Sequence, residues 1–267
     1  MRAEVARRAL YDHRRSIGVW AIGVSVYVVL IVLVWPSLRD SDQLSGALAD
    51  YPETLKKLFG GEAGFDFATA AGYLHAELFS LMYPLFLTVF AIAFAATVLP
   101  GEEERGQLAL VLAGPVRRRR LVVEKAGALA VGLVVLAVVS ALAAAGVGVV
   151  VDLGVPAGNL AAAVTGSVLA AAVIGAVTLL VGAATGSRAA AIGAGALVFG
   201  GGYLLQVVGA FVDALAPLRW ASPLYVANGE APVRTGWPWA AFAGLLVLAG
   251  AGVAAAAVWF ERRDLRA

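Results

Sequence analysis

The sequence contains no cysteine, which excludes disulfides, thiolate metal ligands and a cysteine nucleophile. Its two histidines, His13 and His75, are isolated, whereas a zinc or iron centre needs three or four converging ligands. Charge is scarce as well: 14% of the 267 residues are charged and 61% hydrophobic, with a mean hydropathy of +0.87. Such a chain takes lipid, not water, as its main solvent. No G-x-x-x-x-G-K-[ST] run occurs, so the chain has no phosphate-cradling loop of its own. A Ser-His-Asp set or a facing carboxylate pair is equally absent. The formal net charge of +2 gives no reason to expect a nucleic-acid partner.

What fills the sequence instead is a series of long apolar runs. An α-helix rises about 1.5 Å per residue and the hydrocarbon core is about 30 Å thick, so a span needs roughly twenty apolar residues. Six stretches qualify, at about 17–38, 77–99, 126–151, 160–185, 189–212 and 237–260. The expectation is an all-α membrane protein forming one domain over residues 1–267. Residues 1–16 carry five arginines, and the apolar run behind them reads as a retained first helix, because it is long enough to span and no small-residue cleavage site follows. Gly186, Ser187 and Arg188 leave room only for a tight turn between the fourth and fifth spans.

Lysines and arginines outside the spans set the orientation, because positive loops stay in the cytoplasm. Fifteen fall on the side holding the N-terminal segment, residues 100–125, Arg188 and the tail, and five on the other. That bias predicts both termini inside, in a multi-pass protein of a bacterial inner membrane. The external loop 39–76 is acidic, and Leu55, Leu58 and Phe59 suggest a short surface helix or a solvated loop. The segment 213–236 is rich in proline and aromatics, as expected of a re-entrant or interfacial piece. Small residues dominate the middle spans; Gly182 and Gly186 match G-x-x-x-G, by chance or as a close-approach face. Gly200-Gly201-Gly202 reads as a weak point in the fifth span and Pro84 as a kink in the second. Glu77 and Asp213 are placed at span ends, which leaves the span interiors without ionisable groups. Ion-driven carriers usually hold such groups at depth, so a carrier of that kind is disfavoured.

One dense polar element separates the second and third spans, at residues 100–122. Glu102, Glu103 and Glu104 follow Pro100-Gly101 and suit a helix N-terminus, where each negative charge gains roughly 0.3 to 1 kcal/mol. Leu108, Val111 and Leu112 recur at helical spacing before Gly114-Pro115 stops the helix. The basic patch Arg117, Arg118, Arg119, Arg120 and Lys125 suits topology enforcement and anionic lipid headgroups. Lipid does not account for the acidic half, whereas a protein partner with a complementary groove accounts for both. A scaffold that recruits a membrane enzyme through this element is the rival to a transport role.

Glu103-Glu104-Arg105-Gly106-Gln107-Leu108, followed by Leu112-Ala113-Gly114-Pro115-Val116 and a basic run to Lys125, resembles the signature of type-2 ATP-binding-cassette (ABC) exporter permeases. Tyr51-Pro52, Leu58-Phe59-Gly60, Trp220-x-Ser222-Pro223-Leu224-Tyr225 and Phe260-x-Arg262-Arg263-Asp264-Leu265 extend the resemblance from the first loop to the tail. Gln107 and Arg117 depart from the family's usual Thr and Ser. The resemblance implies a permease that exports an amphipathic or hydrophobic compound, antibiotic-like in its commonest role, with lipid, peptide or ion export as the alternatives. It implies a second permease copy or relative, and two cytoplasmic ATPase subunits that hold the ATP and Mg, leaving this chain without cofactor or catalytic residue. The coupling helix on the ATPase would run over Glu102, Glu103, Glu104, Arg105, Gly106, Leu108 and Leu112 and end at Pro115, and residues 1–16, with Arg2–Arg15, would form an amphipathic connecting helix at the cytoplasmic surface.

Orientation is testable directly. Alkaline phosphatase fused after Gly46 should be active in a bacterial host and inactive after Gly114; the reverse pattern would exclude the inferred orientation.

Overall fold

The computed structural model describes residues 4–39, 69–108 and 117–263, so the first external loop, with its Leu55 to Phe59 surface helix, lies outside the described residues. Among the described residues, six helices are long and apolar enough to cross a membrane. The first, α1, runs unbroken over Glu4–Arg39. The separate surface helix expected at residues 1–16 is therefore continuous with the first span, because no glycine or proline interrupts the backbone before Gly18. Thirty-six residues rise about 54 Å, so one end of α1 stands clear of a 30 Å core. Ile17, Ala21, Val24, Val28, Val32 and Trp35 recur every three or four residues and form its buried stripe. Val19, Ile22, Val26 and Leu30 on its other side are exposed, as a lipid-facing surface permits.

The second unit begins at α2 (Ala70–Leu74), whose N-cap Thr69 accepts from the Gly72 amide. It continues through a π-helical turn, His75–Phe79, into α3 (Met82–Val98) and the one-turn α4 (Pro100–Glu104). The helix thus starts seven residues before the expected position 77, because a capping threonine and an apolar first turn outweigh one charge. Glu77 lies two turns inside the helix and not at its end. The kink expected from Pro84 falls at Ser80–Leu81, where the proline ring would crowd the carbonyl four residues back.

The third unit, α5 (Arg118–Val150), carries its helix eight residues before the expected start. Next come α6 (Ala157–Thr185) and α7 (Arg188–Phe211). Gly186 caps α6 in the left-handed conformation (φ 66°), and the Ser187 hydroxyl caps α7 by accepting from the Ala190 amide, which makes the expected tight turn. Helix α7 is continuous through Gly200-Gly201-Gly202, so the expected weak point is not a break. A 3₁₀ helix (Asp213–Ala221), α8 (Pro223–Asn228) and α9 (Pro232–Thr235) then lead into α10 (Trp239–Arg262).

Helix α6 is the central element and touches α3, α5, α7 and α10 as well as the short α8 and α9. Its buried face is mostly Ala, Gly and Ser, which lets neighbours approach where lipid removes the hydrophobic drive. At Gly182 a Cβ would stand 2.8 Å from the Pro100 ring, so this first glycine of the G-x-x-x-G match is a close-approach point. Helix α7 meets the bundle through Ala191, Gly195, Gly202 and Gly209, its only fully buried residues. Helix α1 lies against α5. Both ends of the described chain reach the start of α5: Val5 and Ala6 through Glu124, and Arg263 through Arg118.

A Cβ at Gly195 would fall 2.4 Å from Thr178 Oγ1 and 2.8 Å from Ile92, whereas one at Gly193 meets nothing within 4 Å. Gly195→Ala should therefore lower thermal stability in detergent by about 1 to 3 kcal/mol, while Gly193→Ala should be neutral or gain about 0.5 to 1 kcal/mol. Equal melting temperatures for the two variants would contradict this α7 packing.

Candidate functional site

The acidic turn sits where α3 ends. Pro100 opens α4 at its first helical position, where a missing N–H costs nothing, and Glu102 and Glu103 occupy its first turn, at the positive end. The helix stops after Glu104, because Gly106 takes a left-handed conformation (φ 70°) and its amide closes on the Glu103 carbonyl at 2.9 Å. The continuous helix expected from Glu102 to Leu112 is therefore broken at Arg105-Gly106. Leu112 and Pro115 lie outside the described residues.

Each glutamate reaches a different helix. The Glu102 carboxylate pairs with Lys125 on α5, whose side chain is 2% exposed and whose ammonium also donates to the Val98 carbonyl. Glu103 pairs through both oxygens with Arg263, at the end of α10, and the pair is largely buried. Glu104 accepts from the Arg188 amide at 2.8 Å, which satisfies one orphan N–H at the start of α7. A fourth carboxylate, Glu124 of α5, accepts from the Val5 and Ala6 amides at 2.9 and 3.2 Å and so caps α1. Five helix ends are thus tied by four acidic side chains. Removing one partner of a buried pair typically costs about 3 to 5 kcal/mol, because the other charge is stranded. Gly186 lies directly beneath this knot, and a Cβ there would come within 2.8 Å of Glu103 Oε1.

The basic patch is engaged with the chain itself. Arg118 donates to the Arg263 carbonyl at 2.6 Å, Arg119 pairs with Glu261 at 2.5 Å, and Arg120 pairs with Glu124 at 2.6 Å. The Arg119 pair is half-exposed and is worth about 0 to 1 kcal/mol. Arg117 precedes α5 in extended conformation. Leu108 is buried in the chain's own core, while Glu104, Arg105, Gly106 and Gln107 are exposed. Beside them a cleft of about 580 Å³ lies between α1 and the acidic turn, lined by Glu4, Arg8, Asp12, Glu102, Gln107 and Lys125 among others.

Sequence reading finds the acidic turn and the basic patch but misses Glu124, Arg188, Glu261 and Arg263 as their partners. The Glu103–Arg263 pair spans 160 residues, and no local spacing encodes it. Charges alone carry the signal: in a chain with so few, those just outside the spans must meet one another.

A double-mutant cycle on Glu103→Gln and Arg263→Gln should show a coupling energy of about 1 to 3 kcal/mol in unfolding. Additive effects would mean that the pair does not hold α4 to α10.

The sequence profile of the ABC-2 family transporter proteins matches residues 3–265. No match was found among curated proteins. Members of this family are membrane components of transporters, are not themselves catalytic, and normally work with a separate ATPase subunit. With six apolar helices and a match over nearly its whole length, the chain belongs to the ABC-2 transporter family.

Proposed function

We propose that the chain is the permease subunit of an ATP-driven exporter in a bacterial inner membrane, with both termini in the cytoplasm. Two copies, or this chain and a related permease, assemble with two cytoplasmic ATPases that hold the ATP and Mg. The transported compound is amphipathic or hydrophobic and antibiotic-like. One observation carries this reading: a turn between the second and third membrane helices is bonded to α5, α7 and α10 at once. A partner that shifts such a turn shifts three helices with it. Nucleotide binding then biases the permease between two states through contacts that differ between them.

The docking surface on the ATPase comprises exposed Arg105, Gly106 and Gln107 with the exposed edge of Glu104, and the family resemblance adds Leu112 and Pro115, which lie outside the described residues. Glu102, Glu103 and Leu108 anchor it from behind, since their side chains face the permease. Arg117, Arg118, Arg119, Arg120 and Lys125 hold the start of α5 at the cytoplasmic surface, where basic residues also meet anionic lipid.

Anchor and dock are separable by experiment. Arg105→Glu should cut co-purification of the ATPase several-fold, or uncouple ATP turnover from transport, without changing the permease's melting temperature. Leu108→Asp should instead destabilise the permease itself by more than about 2 kcal/mol, since it buries an unpaired charge. Purification of the native chain without any ATPase, and without ATP turnover, would overturn the exporter reading.

A further inference from the structure

The second membrane unit carries an ionisable side chain well inside its apolar band. Glu77 lies eight residues beyond the N-cap Thr69, about 12 Å down the helix. Helix α1 gives an independent gauge of depth. The Tyr27 hydroxyl donates to the Glu77 carbonyl oxygen at 3.3 Å, and Tyr27 is twelve residues from Arg15 and twelve from Arg39, the nearest charges along α1. Each lies about 18 Å away along the helix axis. Trp35 is stacked on Tyr73 at 5.7 Å, about 12 Å further toward the outer end of α1. A glutamate side chain is too short to cross that distance to the headgroups.

The Glu77 side chain is exposed on the surface of the chain, and its carboxylate has no hydrogen bond or ion pair with any described residue. A carboxylate at this depth needs water, a proton or a cation. Its surroundings favour a particular kind of cation. The Tyr27 ring packs edge-on to Phe86 at 5.1 Å, and both residues are partly exposed. The Tyr27 hydroxyl on the Glu77 backbone brings these partly open rings within one contact of the residue that carries the carboxylate, and that combination matches a hydrophobic amine or quaternary ammonium, which pairs with the charge and lies against a ring face. The local backbone is specialised too: the Ser80 amide skips a residue to bond the His75 carbonyl at 2.8 Å, and such π turns are frequent at functional sites.

From this juxtaposition we infer that Glu77, with Tyr27 and Phe86, forms a membrane-embedded binding site for organic cations, and that the exported compound carries a positive charge on an apolar body. The inference rests on the exporter reading and narrows its substrate class.

The test measures binding and transport separately. The chain, co-purified with its ATPase and reconstituted in nanodiscs, is titrated with tetraphenylphosphonium and with the neutral dye Nile red; the same complexes in proteoliposomes are assayed for ATP-dependent transport of both. Glu77→Gln should weaken tetraphenylphosphonium binding at least tenfold and leave Nile red unchanged, while Glu77→Asp should retain most of the cation affinity. Equal cation affinity in the native protein and Glu77→Gln would overturn the site, whether the carboxylate is protonated or simply hydrated. Dissociation of Glu77→Gln into single permease chains would also overturn it, by making Glu77 a contact between copies. If ATP-dependent Nile red transport continues in either case, the exporter reading stands and only the cation site fails.

Discussion

Hydrocarbon offers no hydrogen bonds, and most of this architecture follows from that. Backbone groups must be satisfied within each helix, so the six crossings are helical. Hydroxyls inside the bundle turn back on their own helices: Ser167 donates to the Ala163 carbonyl, Thr178 to Ile174 and Ser140 to Leu136. Tyr83 extends this economy by sharing a hydrogen bond with Ser140 at 2.8 Å, linking α3 to α5. Nearly all charge is displaced to the helix ends, and there the carboxylates of the acidic turn and of α5 meet arginine, lysine and unsatisfied amides.

The same solvent dictates how the helices assemble. Lipid tails are as apolar as leucine, so burial alone does not draw helices together, and close backbone approach replaces it. Helix α6 supplies that approach with a face of Ala, Gly and Ser, and α7 is held almost wholly through glycines. On α7 large apolar side chains are sent outward instead, as Leu197 and Leu204 show. Around α6 and α7 the small residues therefore face the bundle, while Phe79, Tyr83, Phe90 and Leu133 fill the core beside α1 and α5.

Much of this was legible in sequence because the spans are long and apolar and because Gly186-Ser187-Arg188 permits only a tight turn. Span starts were less legible. A charge does not mark a helix end here: Glu77 lies two turns inside its helix, since Thr69 and the apolar turn after it decide where the helix begins. The arginine-rich start of α1 looked like a separate surface helix, but nothing in its backbone separates it from the span. The acidic turn was found by composition alone, whereas its pairing was not, because Glu103 and Arg263 are brought together only by the packing of the whole bundle. Leu108 read as part of an outward stripe, and the left-handed Gly106 breaks the helix on which that stripe depended.

The contact of Pro100 with Gly182 gives the acidic turn a mechanical property. Leu99 and Pro100 are both buried where α3 joins α4, so the junction is a fulcrum with unequal arms. On one side α4 extends five residues, about 7.5 Å; on the other α3 extends seventeen, about 25 Å. A rigid tilt of this pair across its axes, about the Pro100–Gly182 contact, moves Met82, about 27 Å away, more than four times as far as Glu104, about 6 Å away. The geometry gears a small displacement at the acidic turn up to a larger one just beneath Glu77.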